Sequence, residues 1–175
     1  MTIPGTDIDQ PICQAPIDDP SYYLTHDVYR NYNIYGCPYL DAGCASQGTN
    51  SPLAMVLGHH MNDGSMFAEI ADYSSRAFAE KHDEILLQTP ESREVLDVFA
   101  IDVVDTWSEF KQLDFDNEES LITWAKETVD ASDIPLASVP KGTESVKAFV
   151  TCSYGRWNGH ERTVVYACEE AGELK

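Results

Sequence analysis

Apolar residues along this chain cluster in short runs, and one of the runs is continuous. Pro52-Leu53-Ala54-Met55-Val56-Leu57 has no polar position, the pattern of a strand covered on both faces, and it leads directly into Gly58-His59-His60-Met61. Glu84 to Gln88 and Glu94 to Val104 return to strand patterning, the second rich in β-branched and aromatic types. Ser145 to Ser153 and Arg162 to Cys168 read as two strands joined by a loop, Tyr154 to Glu161. Ile8 to Gln14 and Tyr35 to Asp41 are shorter strand candidates, and Ser46 to Ser51 reads as loop. Met66, Phe67, Ile70, Tyr73 and Phe78 give Met66 to Ala79 a helical spacing. A second helix is predicted from Asn117, with Glu118 and Glu119 in its first turn. Leu121, Ile122, Trp124, Ala125, Thr128 and Val129 form its apolar face, and Pro135 and Pro140 bound it. Many strands with helices inserted between some of them predict a mainly β domain, an antiparallel barrel or sandwich with peripheral helices.

A chain of 175 residues, 43% hydrophobic and 23% charged, fits one globular domain with its own core. Eleven basic against thirty acidic residues give a net charge of −19. That balance argues against nucleic acid as a partner, because phosphate binding needs a cationic face. No segment approaches the roughly 18 consecutive apolar residues of a membrane span, and the start lacks a cationic signal peptide. Cys13, Cys37, Cys44, Cys152 and Cys168 are an odd set without a C-x-x-C pair, which disfavours structural zinc. Cys37 and Cys44 flank turn residues, so in an oxidising compartment a short bridge between them is one option and free buried thiols the other.

Three residue types suited to acyl transfer occur in suggestive places. Cys152 ends the apolar run Ala148-Phe149-Val150, where a strand terminus presents a side chain to a cleft; a buried small hydrophobe is the alternative. Thr151 beside it offers a hydroxyl and a backbone donor. His59 and His60 leave the backbone in opposite directions, so one of them at most faces that thiol. Arg162 opens the strand after Cys152, and an antiparallel hairpin would set the two side by side, with a permanently charged guanidinium available to a developing oxyanion.

Taken together these segments resemble the class B sortases, cysteine transpeptidases of Gram-positive bacteria. Gly58-His59-His60-Met61 with Gly64-Ser65-Met66-Phe67 is similar to the family's histidine segment, Thr151-Cys152-Ser153-Tyr154 to its cysteine segment, and Arg162 stands at its arginine position. Ile8-Asp9-Gln10-Pro11-Ile12-Cys13-Gln14 resembles its first strand, and Asp19-Pro20-Ser21-Tyr22-Tyr23-Leu24 the segment that follows. Gln10 and Leu57 depart from tyrosines, and Val150 from a serine common in relatives. The resemblance covers nearly the whole chain and implies a single catalytic domain over 1–175. Its expected fold is an eight-stranded β-barrel with peripheral helices, one of them between the sixth and seventh strands.

The resemblance also implies a chemistry. His59, Cys152 and Arg162 would be the catalytic set, with no cofactor and no metal. The substrates would be surface proteins carrying a C-terminal sorting signal, cleaved after threonine through a thioester. The acceptor would be an amine of peptidoglycan or a pilin lysine. The location would be the extracellular face of the membrane, held by an anchor outside these residues. His60 occupies a position where relatives accept asparagine, so the imidazole of interest is His59. Two rivals compete with this reading. A papain-like cysteine protease would put its histidine after the cysteine, whereas here His59 precedes Cys152. A secreted β-domain that binds surface ligands would leave Cys152 structural.

Overall fold

The computed structural model describes residues 1–106, 112–157 and 159–170. Eight strands form one curled sheet: β1 (Cys13–Gln14), β2 (Tyr39–Leu40), β3 (Leu53–Leu57), β4 (Glu84–Gln88), β5 (Arg93–Asp105), β6 (Ile134–Pro135), β7 (Val146–Ser153) and β8 (Glu161–Cys168). Their order is β1-β2-β3-β7-β8-β5-β4, with β6 against β5. The mainly β class expected from the pattern is what forms, curled as a half-barrel. Two of its pairings are parallel, β1 with β2 and β3 with β7. At the amino terminus Thr2 bridges both Asp9 and Leu86 of β4, so the first fourteen residues join the two ends of the strand order.

The strand alternation sorts side chains onto two faces. Val56, Phe149, Val165 and Ile101 pack with Phe67, Ile70 and Tyr73 on one face. Leu53, Val146, Ala148, Val150 and Val164 pack on the other, beneath Leu121, Ala125 and Val129 of helix α2 (Glu118–Ala131). Being covered on both sides, β3 has no polar face to show, which is why its sequence reads as an unbroken apolar run. Helix α2 begins where Asn117 predicts. The Asn117 side chain accepts from the Ser120 N–H at 2.9 Å, and the Asn117 N–H donates to Ser120 Oγ at 3.2 Å, a reciprocal cap. It lies between β5 and the two-residue β6, one short strand earlier than the resemblance implied.

Three segments differ from their predicted form. Only Cys13–Gln14 of Ile8 to Gln14 and Tyr39–Leu40 of Tyr35 to Asp41 join the sheet. Met66 to Ala79 is not one helix: a 3-10 turn, Ala68–Ser74, gives way at an extended Ser75 to helix α1 (Arg76–Lys81). The apolar spacing fits both, since its role is to bury Ile70 and Tyr73 against the sheet rather than to sustain a helix.

The hairpin of β7 and β8 is closed from inside by a fully buried acid. Glu161 accepts from the Gly155 N–H with both carboxylate oxygens, at 3.0 and 3.1 Å, and also from the Trp157 N–H. Removing that acceptor strands two backbone donors. Glu161→Ala is therefore expected to lower the unfolding free energy by about 2–3 kcal/mol, and Glu161→Gln, which keeps one acceptor oxygen, by less. Urea denaturation of the two variants checks the ranking.

Candidate active site

Register brings the predicted residues to one end of the sheet. Cys152 and Arg162 are direct cross-strand partners in the antiparallel β7–β8 pair, so their side chains leave the same face. Leu57 of β3 pairs with Val150 of β7. His59 follows Leu57 by two residues as Cys152 follows Val150, and the parallel run carries both to the same edge. The pairing continues past the end of β3: the Gly58 N–H donates to the Val150 carbonyl at 3.1 Å, and the Thr151 hydroxyl donates to the Gly58 carbonyl at 2.9 Å. Thr151 is thus a brace between the two segments. Its hydroxyl is buried and committed, not offered to the cleft as its place beside Cys152 had suggested.

The two histidines separate as adjacent residues must. His59 Nε2 lies 2.8 Å from the Leu24 carbonyl. A carbonyl only accepts, so Nε2 carries the hydrogen and the lone pair of the neutral ring sits on Nδ1. His60 Nδ1 lies 2.9 Å from the carbonyl of Cys152 itself, and the ring packs edge-on against Tyr154 at 5.2 Å. His60 therefore holds the backbone that carries the thiol. Asp63 serves its own turn, accepting from the Ser65 N–H and hydroxyl and from the Tyr35 hydroxyl. Arg162 donates one N–H to the Glu161 carbonyl at 2.8 Å, which uses one of the five donors of the guanidinium.

Arg162 also lines a groove of 480 Å³ between the sheet and α2, walled by Leu57, Val104, Trp124, Val150 and Val164. A larger hollow, 1180 Å³, opens around Ser145 and Lys147 at the other end of β7 and holds none of the three candidates. Val150 contributes a branched apolar wall where a serine would have offered a hydroxyl. Tyr39 is buried close enough for Arg162 and Cys152 to act on its hydroxyl; burial, then Asp41, push it above the usual phenol range while Arg162 pulls the other way. Leu24, Tyr39, the His60 clamp and Glu161 were not found in the sequence. Leu24 and His60 act through a backbone group distant in the chain, and no side-chain pattern signals that. The bridge weighed for Cys37 and Cys44 has no geometric support: Cys44 Sγ faces the Leu53 carbonyl at 3.5 Å, whereas Cys37 Sγ lies against Cys13.

The described residues contain no group of three or more His, Cys, Asp or Glu side chains placed to hold a metal ion, and no helix among them is long and apolar enough to cross a membrane. A family model described as the sortase domain matches residues 1–170. Sortase B of Staphylococcus aureus is 25% identical over 167 residues, spanning 95% of this chain and 67% of that protein. Sortase B of Listeria monocytogenes is 26% identical over 159 residues, 87% of this chain and 61% of that protein. The chain thus spans about two thirds of the length of these curated relatives. A Staphylococcus aureus sortase B solved as a substrate complex superposes with a TM-score of 0.81 at 23% identity, covering 99% of this chain and 78% of that one.

The glycine before His59 has a steric reason. A Cβ on Gly58 would stand 2.6 Å from the ring of Phe67, a fully buried side chain whose N–H donates to the His59 carbonyl at 2.8 Å. Gly58→Ala is expected to cost about 1–3 kcal/mol of stability. Combined with Phe67→Leu, the loss should be smaller than the two single losses added together, because the shorter side chain removes the clash. Denaturation midpoints of the three variants test this.

Proposed function

The chain belongs to the sortase family, cysteine transpeptidases, and from that premise we propose that it cleaves a C-terminal sorting signal after threonine and transfers the acyl part to an amine. The observation that carries the reading is the cross-strand pairing of Cys152 with Arg162, itself a lining residue of a groove with apolar walls, and the delivery of His59 to the same edge by β3. Cys152 gives its thiol proton to Nδ1 of His59, and the thiolate sulfur attacks the threonine carbonyl carbon. The charge that develops on the carbonyl oxygen meets the N–H groups of Arg162 that do not bind the Glu161 carbonyl. As the C–N bond breaks, His59 gives a proton to the leaving amine, and a thioester to Cys152 remains. An incoming amine, from peptidoglycan or a pilin lysine, attacks that thioester and loses its proton to His59. The thiolate leaves, and the new amide departs.

The Leu24 carbonyl, by fixing Nε2–H, assigns the proton-carrying role to Nδ1. The Leu57, Trp124 and Val164 walls fit the apolar side chains of an extended peptide lying along the groove toward Cys152. The Staphylococcus aureus relative solved with its substrate has the same fold, and this supports assigning the groove to the signal. The enzyme would act on the outer face of the membrane, tethered by a segment outside residues 1–175.

Transpeptidation of a panel of sorting peptides onto an amine acceptor tests the assignment. Cys152→Ala should abolish turnover. Arg162→Ala should lose about 10²–10³ in kcat, with little restored by Arg162→Lys, since an ammonium lacks the planar fork. His59→Ala should fall by at least about 10²–10⁴. His60→Asn should stay within a few-fold of the unsubstituted enzyme, because an amide N–H still reaches the Cys152 carbonyl, and His60→Ala should fall further than His60→Asn. Substantial turnover by Cys152→Ala, or an unchanged rate for Arg162→Ala, would overturn the mechanism.

A further inference from the structure

Beside the candidate site a pair of thiols is already in contact. Cys13 Sγ lies 3.7 Å from Cys37 Sγ. The strands hold this approach in place. Cys13 pairs with Tyr39 in the parallel β1–β2 ladder, its N–H donates to the Pro38 carbonyl at 2.9 Å, and Cys37 stands two residues before Tyr39. The other cysteines are placed elsewhere. Cys44 faces the Leu53 carbonyl, Cys168 is buried in the cluster under α2, and Cys152 stands opposite Arg162.

The pair is also connected to His59. The Cys37 N–H donates to the Tyr23 carbonyl at 2.9 Å, and the next carbonyl, Leu24, binds His59 Nε2. Gly36, at φ +62°, leaves no room for a side chain here: a Cβ would stand 2.3 Å from the Tyr23 oxygen and 2.9 Å from the Leu24 oxygen. The backbone at 36–37 is thus fitted against the turn that orients the imidazole. Residues 25–36 between them carry no strand or helix, and exposed Tyr29, Tyr32 and Ile34 lie within that stretch.

We propose that Cys13 and Cys37 are a disulfide site, whose closure pins β1 to the segment entering β2 and thereby holds the Tyr23–Leu24 turn against His59. The sulfurs need to approach by about 1.6 Å to reach bonding distance, a movement within reach of side-chain rotation. A small-molecule disulfide is the oxidant. Cys13, the more exposed thiol, attacks one of its sulfurs as the thiolate and expels one small thiol. Cys37 then loses its proton, attacks the Cys13 sulfur of the mixed disulfide, and expels the second. Two protein thiols are oxidised to one disulfide, and one small disulfide is reduced to two thiols. Burial and the neighbouring Cys13 push the Cys37 thiol up to about 12, which assigns the first attack to Cys13.

The test uses the reduced chain and its Cys152→Ala variant, each incubated with oxidised glutathione and mapped by mass spectrometry without reduction. None of its readouts is enzymatic, so its outcome is independent of the transpeptidase assignment. The expected product is a Cys13–Cys37 linked peptide. In Cys152→Ala, which has four of the five cysteines, titratable thiols should fall from four to two. The melting temperature should rise by roughly 5–10 °C on closure, and the rise should vanish on reduction and in Cys37→Ser. Hydrogen exchange over residues 22–37 should slow by about tenfold or more on closure. Glutathione stopping on Cys13 without a bridge, or a bridge to Cys44, would overturn the site. A correctly placed bridge that leaves exchange at Tyr23 and Leu24 unchanged would overturn the link to His59.

Discussion

The parallel alignment of β3 with β7 is the constraint on which the candidate site depends. It joins segments more than ninety residues apart in sequence at Leu57 and Val150, and the Gly58 N–H and Thr151 hydroxyl extend the join beyond the last strand residue. Parallel strands cannot be connected by a tight turn, so everything between them, including β4, β5, β6 and α2, is the crossover that makes the pairing possible. Once β3 and β7 are side by side, His59 and Cys152 have no independent freedom to separate. The β7–β8 hairpin then adds Arg162 on the same face.

Around that alignment the supporting groups act mainly on the backbone. His60 binds the Cys152 carbonyl, Leu24 fixes the His59 ring, and Glu161 closes the hairpin that sets Cys152 opposite Arg162. The ring of Phe67 occupies the space that a Gly58 side chain would need, so the two ends of the histidine segment are a single packing unit. In the proposed mechanism such an arrangement would hold the candidate groups in place before a substrate arrives, and preorganised donors stabilise developing charge without reorganising at the moment of reaction. α2 supplies the opposite wall of the groove through Trp124 and Thr128.

Much of this was legible in the sequence where burial leaves a periodic trace. β3, β4, β7 and β8 fall within a residue or two of their predicted bounds, and α2 starts at its predicted cap. The hairpin placing Cys152 beside Arg162 could be deduced because its two strands are consecutive. The parallel pairings could not, since no local pattern states which distant strand is a neighbour. Met66 to Ala79 reads as a helix because a 3-10 turn and an α-turn present similar apolar spacing. The Cys13–Cys37 contact is hidden for the same reason as the clamps: it depends on β1 lying against β2, and spacing along the chain instead pointed to Cys44.

The central claim is that Cys152 forms an acyl bond to a peptide lying in the groove that Arg162 lines. Intact-mass analysis of the protein incubated with sorting peptides in the absence of an amine acceptor measures this directly. The account predicts an adduct equal in mass to the peptide acylated through its threonine, mapped to Cys152, discharged by hydroxylamine and absent from Cys152→Ala. No adduct with any peptide of the panel, or one that persists in Cys152→Ala, would contradict it.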